Sequence, residues 1–349
     1  MTLDTYLQEK KELTIQTLAS FLTHKKNMSP IFASHQTQIF NDLLTSTKNG
    51  KCLRSALIHI GYELFTTVPN ADLPIFSAAT ELLQNGLLIH DDIMDNDTLR
   101  RGIPTTHRQW EERLKHTVNN PQKTGESIGI CIGDTAFFLA SELLSTTNQL
   151  ATILPILYDE YQKITLAQMQ DVIYGDANTM PSIKDIEQLY TYKTGRYSVA
   201  LPLVIGAMLA NQQSATIEKL WIIGEQIGLL YQIKDDELGL IGDETKTGKS
   251  VGSDIREGKK TIAIAMIYEK ATEKEKQNVL SILKKTNNTK DEIEYIISLY
   301  TSYNIGSSLK KRTEEMIQNI HTRSDELQAD PSVTDLLKQF TLFIVRRDK

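Results

Sequence analysis

Two acidic clusters are the residues of this 349-residue sequence whose types and spacing could do chemistry. In the first, Asp91 and Asp95 stand four residues apart, and Asp92 lies three residues before Asp95. On a helix these carboxylates share one face and repel one another, and a hard divalent cation with oxygen ligands would reverse that cost. Magnesium is the natural counter-ion. An isolated acidic triplet is more often a solvated helix end, so this cluster alone does not establish a site.

A second cluster, Asp235, Asp236 and Glu237, lies 144 positions downstream, again where a long apolar segment reaches a polar loop. Because Mg²⁺ typically takes one or two carboxylates together with substrate phosphates, two clusters that face one another could hold a diphosphate between them. Basic residues follow both clusters: Arg100, Arg101, Lys249, Arg256, Lys259 and Lys260. Acidic and basic groups around one site suit metal-diphosphate chemistry, although a basic run after an acidic run is equally compatible with surface ion pairs.

The elements that must position these clusters are predicted to be helices. Apolar residues recur every three or four positions through most of the chain, and hairpin signatures are nearly missing. The predicted fold class is therefore all-α, with about ten or more helices separated by turn-forming residues. We expect one domain over residues 1–349, a single large helical bundle around a deep central cavity.

Three long segments support the expectation of a cavity. Residues 75–95, 156–175 and 217–238 are apolar for most of their length and become acidic or amide-rich toward one end. This pattern predicts an acidic rim above an apolar shaft. Pro74 and Pro155 stand just ahead of the first two segments and are expected to begin helices, where the missing N–H of proline is tolerated.

The composition limits the function classes. With 38 Lys and Arg against 44 Asp and Glu the formal charge is −6, so no global basic field exists to hold nucleic acid or an anionic bilayer. Two cysteines without a metal-ligand spacing predict neither a disulfide framework nor a zinc site, and they favour a reducing compartment. No signal peptide is recognisable, and the most apolar stretch, residues 199–210, is too short to span a membrane. We expect a cytoplasmic protein without stable membrane insertion.

The sequence resembles the trans-isoprenyl diphosphate synthases, the polyprenyl synthetase family that includes geranylgeranyl and farnesyl diphosphate synthases. The resemblance rests on LLIHDDIMDNDTLRRG (residues 87–102) and YQIKDDELGLIGDETKTGKSVGSDIREGKKT (residues 231–261). It spans roughly residues 50–261, and the C-terminal third matches only as generic helices. The resemblance implies an isoprenoid synthase fold, Mg²⁺ as cofactor with three ions per site, isopentenyl diphosphate and an allylic diphosphate as substrates, and a homodimer.

At matching positions the resemblance implies that Asp91 and Asp95 bridge two magnesium ions to the allylic diphosphate, with Asp92 in support. Asp235 would hold the third ion. The second motif has Gly239 where an aspartate is usual in the family. The implied contacts to the allylic diphosphate are Arg100, Gln168, Asp171, Lys193, Thr194, Gln232, Lys249 and Lys259. The implied catalytic residues are Asp91, Asp95, Lys193, Asp235 and Lys259.

Isopentenyl diphosphate is bound in this family by a G-K-x-x-R-P segment, a His or Gln on the next long helix and the second arginine after the first motif. The matching residues are Lys51, Arg54, Gln84 and Arg101. The segment here is GKCLRS, so Cys52 replaces a commonly basic residue and Ser55 replaces the proline. We expect an altered affinity for isopentenyl diphosphate. The terminal Arg346 and Arg347 could fold over this pocket or form a solvated tail.

The implied reaction is ionisation, condensation and elimination. An allylic diphosphate ionises only if its leaving group is stabilised as charge develops, and Lys193, Lys259 and Arg100 would do this together with the metal ions. The apolar shaft must then keep the carbocation away from water until isopentenyl diphosphate attacks. The released pyrophosphate is expected to take the proton, since the motifs place no side-chain base.

Product length should depend on how deep the shaft runs. Leu87 and Gly86, four and five residues before Asp91, lie roughly one turn below the metal site, and Leu83 lies one turn further down. Because Gly86 has no side chain, synthesis need not stop at fifteen carbons, and we expect geranylgeranyl diphosphate. A farnesyl or longer polyprenyl diphosphate synthase is the alternative.

Two other function classes share parts of this pattern. A class I terpene cyclase has the same fold and first motif, but the stretch after Asp235 does not fit its second metal motif. A non-catalytic subunit of a heteromeric synthase tends to lose metal-binding carboxylates, whereas both acidic clusters are intact here.

Overall fold

The computed structural model describes residues 2–28, 32–242, 251–285 and 287–346, and within these ranges the chain is almost entirely helical. The strands of the described ranges are one two-residue antiparallel pair, Leu99–Arg100 and Ile103–Pro104. The helices are α1 (Leu3–Met28), α2 (Ala33–Asn49), α3 (Leu53–Glu63), α4 (Leu73–Met94), α5 (Thr106–Leu114), α6 (Pro121–Leu144), α7 (Leu150–Asp176), α8 (Ile183–Tyr190), a π-helix (Thr191–Ala200), α9 (Leu201–Leu209), α10 (Ser214–Ile241), α11 (Ser253–Arg256), α12 (Ile262–Lys270), α13 (Glu273–Leu283), α14 (Lys290–Ser302), α15 (Ile305–Asp325) and α16 (Pro331–Arg346). The all-α prediction is confirmed.

Local sequence explains where several helices begin. Three helices, α8, α13 and α14, begin with capping boxes at Ser182, Thr272 and Thr289. In each, the hydroxyl of the capping residue accepts a hydrogen bond from the backbone N–H three residues later. The carboxylate of that later residue accepts a hydrogen bond from the backbone N–H of the capping residue. Pro74 lies in the first turn of α4, as predicted.

The expectation that Pro155 begins a helix is wrong. Helix α7 starts at Leu150, and Pro155 lies inside it. The N–H groups of Thr152 and Ile153 already donate to the Gln149 carbonyl. The first turn of α7 is therefore formed before the proline. Because Pro155 has no N–H, the second turn of α7 lacks one backbone hydrogen bond.

The chain forms two compact units, Met1–Ile153 and Leu154–Lys349. In the first unit, α4 packs against α1, α2, α3 and α6. The start of α4 is enclosed, since Phe76, Ala78, Ala79 and Leu82 have no exposed surface. Toward its C-terminus the helix becomes more accessible, and Leu87 and Leu88 are only half-buried. The expectation of a single domain over residues 1–349 stays a prediction.

In the second unit, α10 packs against the π-helix, α9, α15 and α16. One apolar cluster joins Ile233 and Leu240 of α10 to Ile186 of α8 and to the isoleucines of α12. This cluster buries one side of the C-terminal half of α10, and it thereby sets which side chains of the second acidic cluster remain accessible.

Helix α6 is the one helix of the described ranges that is long and apolar enough to cross a membrane, judged by length and composition alone. Its most apolar 18-residue window is 44% buried within the chain, and a core helix passes the same test. The absence of membrane insertion stays a prediction.

Candidate active site

The first acidic cluster lies at the C-terminal end of α4, around one arginine. Asp91 and Asp92 belong to the last turn of the helix, and Asp95 follows it. The Nη2 of Arg100 lies 3.5 Å from Asp91 Oδ2 and 3.4 Å from Asp97 Oδ2. The Nε of Arg100 donates a hydrogen bond to Asp92. One guanidinium therefore pairs with three carboxylates.

The carboxylates of this cluster differ in exposure. Asp92 is 3% exposed, and burial raises its pKa to about 6, while Arg100 acts in the opposite direction. Asp91 is half-buried and Asp95 is exposed. Asp91 and Asp95 are therefore the more accessible carboxylates of the shared helix face, and Asp92 is held by Arg100.

A tight turn separates the two arginines that follow the cluster. Arg101 and Gly102 have φ angles of 55° and 75°, and Arg100 pairs with Ile103 across the turn. Two-residue hairpin turns of type I′ need positive φ at both central positions. The turn directs Arg100 to the acidic cluster, whereas Arg101 Nη1 lies 2.9 Å from where a Cβ on Gly50 would stand. The missing side chain of Gly50 gives this guanidinium room.

The residues predicted to bind isopentenyl diphosphate all belong to the first unit. Lys51 is exposed just before α3, and Arg54 lies in the first turn of α3. Gln84 of α4 is 5% exposed, and its Oε1 has no hydrogen-bond partner among the described residues. A buried amide oxygen that accepts no hydrogen bond lowers the stability of the fold. Gln84 is therefore suited to accept a hydrogen bond from a ligand.

Glu81 joins this set, and the sequence prediction missed it. It is buried on α4, three residues before Gln84, and its Oε1 accepts a hydrogen bond from the Ser55 backbone N–H at 3.2 Å. Burial raises the pKa of Glu81, and attraction to Arg54 and Arg101 acts against that rise. Glu81 is therefore close enough to two predicted diphosphate-binding arginines to attract them electrostatically. Its signal in the sequence is an acidic residue on an apolar helix, one turn before Gln84.

Ser55 explains one departure from the family pattern. A proline at this position would have no N–H to donate to Glu81. The Ser55 hydroxyl also hydrogen-bonds the Thr14 hydroxyl of α1 within the buried core. The substitution therefore adds two polar contacts behind the predicted substrate site.

The second acidic cluster, on α10, divides its carboxylates between two environments. Asp236 is 5% exposed, the Tyr190 hydroxyl donates to it, and Gln232 Nε2 donates to its Oδ1 at 3.1 Å. Burial raises the pKa of Asp236 well above its ordinary value, and repulsion from Asp254 adds to the rise. Asp235 is half-buried. Asp236 is therefore a structural carboxylate, and Asp235 remains the candidate ligand of the cluster.

Gly239, at the position where the resemblance expects an aspartate, lies against a neighbouring carboxylate. A Cβ on Gly239 would lie 2.3 Å from Asp254 Oδ2. The carboxylate of Asp254, on α11, thus fills the place beside α10 that a side chain at position 239 would take.

The predicted residues of α7, the π-helix and α10 meet in the second unit. Lys193 Nζ pairs with the carboxylate of Asp171. The Thr194 hydroxyl donates to Gln232 Oε1 at 3.2 Å. Gln168, one turn before Asp171, is half-buried on the same helix. Five predicted diphosphate contacts are therefore carried by three neighbouring segments of this unit.

The π-helix is what brings Lys193 and Thr194 to α10, and the sequence analysis did not foresee it. Such wide turns are rare and often occur at functional sites. A Cβ on Gly228 of α10 would lie 2.1 Å from the Cα of Gly195. The two glycines allow the backbones to approach closely, which places the side chains of the π-helix beside Gln232.

The remaining basic residues of the predicted set differ in what their side chains contact. Lys259 is half-buried and pairs with Glu257 at 2.5 Å. Lys260 donates to the carbonyls of Tyr174 and Ala177 at the end of α7, so it is a structural cap. Arg256, Lys249, Arg346 and Arg347 complete the predicted set. Of these, Arg256 donates to the Val251 carbonyl, Arg346 is the exposed end of α16, and Lys249 and Arg347 lie outside the described residues.

No group of three or more His, Cys, Asp or Glu side chains among the described residues is arranged as a metal cage. Mg²⁺ does not require one, since it keeps several waters and binds through one or two carboxylates plus substrate phosphates. The pair Asp91 and Asp95 on one helix face, and Asp235 on α10, fit that type of binding.

The three residues expected to govern product length lie on different sides of α4. At about 100° per residue, Leu87 is turned roughly 40° from Asp91, whereas Gly86 is turned about 140° away. Leu83 is 5% exposed. A Cβ on Gly86 would lie 2.5 Å from Phe137 Cε1 of α6. The space that the glycine was expected to leave open is therefore filled by an aromatic ring.

Comparison with known proteins shows which family the chain is related to. A family model described as polyprenyl synthetase matches residues 37–300. A short chain isoprenyl diphosphate synthase of Methanocaldococcus jannaschii is 36% identical over 72% of this chain and 72% of its own length. A geranylgeranyl diphosphate synthase of Saccharolobus solfataricus is 30% identical over 76% of this chain and 78% of its own.

Solved structures agree on the fold. A geranylgeranyl pyrophosphate synthase from Corynebacterium glutamicum, crystallised with isoprenyl diphosphate and magnesium, superposes with a TM-score of 0.87 at 25% identity and covers 98% of this chain and 99% of its own. The isoprenoid synthase fold expected from the motifs is thus confirmed. The chain belongs to the polyprenyl synthetase family, and it is a prenyltransferase, an isoprenyl diphosphate synthase.

Proposed function

We propose that the chain condenses isopentenyl diphosphate with an allylic diphosphate in a magnesium-dependent sequence of ionisation, condensation and elimination. Geranylgeranyl diphosphate is the proposed main product, and farnesyl diphosphate or a longer polyprenyl diphosphate is the alternative. The product class is supported by two relatives named geranylgeranyl diphosphate synthases, at 30% and 31% identity. A relative named short chain isoprenyl diphosphate synthase is compatible with either length.

The observation that carries the proposal is the polar network around Lys193. Residues 171, 193 and 232 are far apart in sequence, yet Lys193 pairs with Asp171, and its neighbour Thr194 bonds Gln232. The ammonium group of a half-buried lysine that is paired with a carboxylate can also form a charge-assisted hydrogen bond to a phosphate oxygen. Lys193 would then stabilise the leaving diphosphate as negative charge develops on it.

Asp91, Asp95 and Asp235 would hold magnesium, and the bound ions would neutralise charge on the diphosphate. Arg100, held between Asp91 and Asp97, would donate to the same diphosphate from the end of α4. Lys259 would add a further positive charge.

Isopentenyl diphosphate would be bound by Lys51, Arg54, Gln84 and Arg101, with Glu81 orienting the two arginines. Leu83 and Leu87 would exclude water from the hydrocarbon chain, which protects the carbocation until the alkene attacks. The described side chains offer no assigned general base, so the released pyrophosphate is the proposed proton acceptor.

We propose a cytoplasmic homodimer. Two free cysteines, one buried and one exposed, suit a reducing compartment. Leu166, Met169 and Ile173 expose an apolar stripe on α7 within the second unit, and a second copy of the chain is the proposed partner.

The test is product analysis by mass spectrometry. The purified chain is incubated with isopentenyl diphosphate and dimethylallyl, geranyl or farnesyl diphosphate, with Mg²⁺ or with a chelator. We expect a twenty-carbon diphosphate with Mg²⁺ and no turnover with the chelator. Products formed from an allylic diphosphate alone would indicate a cyclase, and no turnover of any primer would indicate a non-catalytic subunit.

A further inference from the structure

Arg196, on the π-helix three residues after Lys193, joins that helix to both α7 and α10. Its Nε lies 2.6 Å from Glu160 Oε2, and its Nη2 donates to Glu160 Oε1 at 2.7 Å, which is a bidentate ion pair with α7. Its Nη1 pairs with the carboxylate of Glu225 on α10. Arg196 is not among the residues implied to bind substrate, so these contacts need another explanation.

The guanidinium of Arg196 is enclosed and held in one orientation. The side chain of Arg196 is 17% exposed, and that of Glu160 is 3% exposed. The guanidinium carbon lies 4.2 Å from the centre of the Trp221 ring on α10, which is a cation–π distance. A planar guanidinium that is bound bidentately and stacked on a ring is fixed in direction as well as in position, which the ammonium group of a lysine would not be.

The contacts of Arg196 repeat those of the segment that is proposed to bind diphosphate. Lys193 pairs with Asp171 of α7, and Thr194 donates to Gln232 of α10. The π-helix is therefore connected twice to each neighbouring helix. The polar groups of the first set are needed for the diphosphate, whereas the contacts of Arg196 can stay in place when substrate binds.

Arg196 acts at a distance from the proposed diphosphate position. Glu160 lies eleven residues before Asp171, which is about 16 Å along the axis of α7. The π-helix spans ten residues, although this rare form usually occurs as a single turn. Its register therefore depends on contacts with the helices on either side, and Arg196 supplies charged contacts to both.

We propose that Arg196 is a positioning residue that fixes the register of the π-helix, so that Lys193 and Thr194 keep their direction while they bind the diphosphate. This inference rests on the proposed function. A displacement of about 1 Å at a group that acts on the reacting atoms can cost about 100-fold in rate. The expected effect of losing Arg196 is therefore on kcat, through Lys193.

The test is a double-mutant cycle in steady-state kinetics at saturating Mg²⁺. We expect Arg196→Gln to lower kcat about tenfold and to change both KM values less than about twofold, because the loss is in the transition state. Arg196→Lys keeps the charge but not the planar fork, so kcat should fall about threefold. In the Lys193→Ala chain, adding Arg196→Gln should lower kcat no further, which a merely structural role would not predict.

The matched control is Arg113, which makes the same kinds of contact in the first unit. It donates to both carboxylate oxygens of Asp42 at 2.9 and 3.2 Å, and its guanidinium carbon lies 5.1 Å from the centre of the Trp110 ring. We expect Arg113→Gln to keep the wild-type kcat and both KM values.

The buried Glu160 keeps a partner in Arg196→Gln, since Lys163 Nζ lies 2.8 Å from its Oε1. Thermal unfolding identifies a variant that does not fold. In that case Glu225→Gln, which cuts only the connection to α10, replaces Arg196→Gln in the cycle, with the same expected dependence on Lys193.

The outcomes separate the inference from the proposed function. A wild-type chain that condenses no substrates would overturn the proposed function and the inference with it. An active wild-type chain would overturn the inference alone if Arg196→Gln left kcat unchanged, or if it lowered kcat equally with and without Lys193. An equal loss of kcat in Arg113→Gln would also overturn it.

Discussion

The two acidic clusters are similar in sequence but are stabilised in different ways. In the first, the buried Asp92 is balanced by the permanent charge of Arg100. In the second, the buried Asp236 accepts hydrogen bonds from two neutral donors, the Tyr190 hydroxyl and the Gln232 amide. Asp92, with a pKa of about 6, stays mostly ionised at neutral pH, whereas burial and Asp254 raise the pKa of Asp236 well above its ordinary value.

This difference shows that an acidic triplet does not assign the same role to each of its residues. Asp236 joins the end of α8 to α10 and is part of the scaffold of the second unit. Asp92 belongs to a charged cluster whose guanidinium can also bind phosphate. In both clusters the more accessible neighbour, Asp91 or Asp235, is the residue expected to act on substrate.

The largest effect should come from removing those accessible carboxylates. We expect Asp91→Asn and Asp235→Asn each to lower kcat at least about 100-fold, because each would weaken stabilisation of the leaving group. Asp97→Asn, which removes only an ion pair with Arg100, should change kcat less than about threefold. Steady-state kinetics at saturating Mg²⁺ measure this. An equal loss for Asp97→Asn would mean that the first cluster acts through Arg100 rather than through metal binding.

The next effect concerns substrate affinity in the first unit. Glu81→Gln weakens the electrostatic attraction to Arg54 and Arg101, so the KM for isopentenyl diphosphate should rise about tenfold, which corresponds to about 1.4 kcal/mol of binding free energy. The KM for the allylic substrate should change little. Glu63→Gln, a carboxylate change in the same unit away from these arginines, should leave both KM values unchanged. A parallel rise in both constants for Glu81→Gln would contradict a specific positioning role.

A smaller effect tests the scaffold role of Asp236. Tyr190→Phe removes a donor to a buried carboxyl group, which should lower the free energy of unfolding by about 1–3 kcal/mol. Tyr303→Phe removes a hydroxyl that donates to Glu275 near the surface, so it is the matched control and should change little. Urea unfolding followed by circular dichroism measures both. Similar stability of the Tyr190 variant and the wild-type chain would show that the bond is not structural.

The smallest expected effect is a pH dependence of the free energy of unfolding. It concerns Glu63, which, like Asp92, is a carboxylate with charged partners. Burial acts to raise the pKa of Glu63, but interactions with His59 and Lys10 and a hydrogen bond from the Tyr6 hydroxyl outweigh it and lower the pKa from 4.5 to about 2. The stabilisation is therefore complete above the ordinary pKa and is lost as the pH falls from 4.5 toward 2. The free energy of unfolding of the wild-type chain should fall more steeply in this range than that of Glu63→Gln. Parallel curves would contradict the assignment.

Much of the fold and part of the site could be predicted from sequence. Helical periodicity is a local property, so it indicated the all-α class and placed both acidic clusters at the ends of long helices, α4 and α10. The family resemblance implied that Thr194 and Gln232 act at one site, and their side chains are hydrogen-bonded in the second unit. Pro155 was misassigned because proline chemistry alone does not show where a helix has already begun.

The sequence by itself determined the residue types at the site and the faces of the helices that carry them, because side-chain chemistry and a period of 3.6 residues are properties of the chain. Only the tertiary structure decided what stands opposite those faces. Phe137 fills the space beside Gly86, Ser55 bonds Glu81, and the π-helix brings Thr194 to α10. Each of these contacts joins residues from different helices, and the close approach that makes them depends on how whole helices pack.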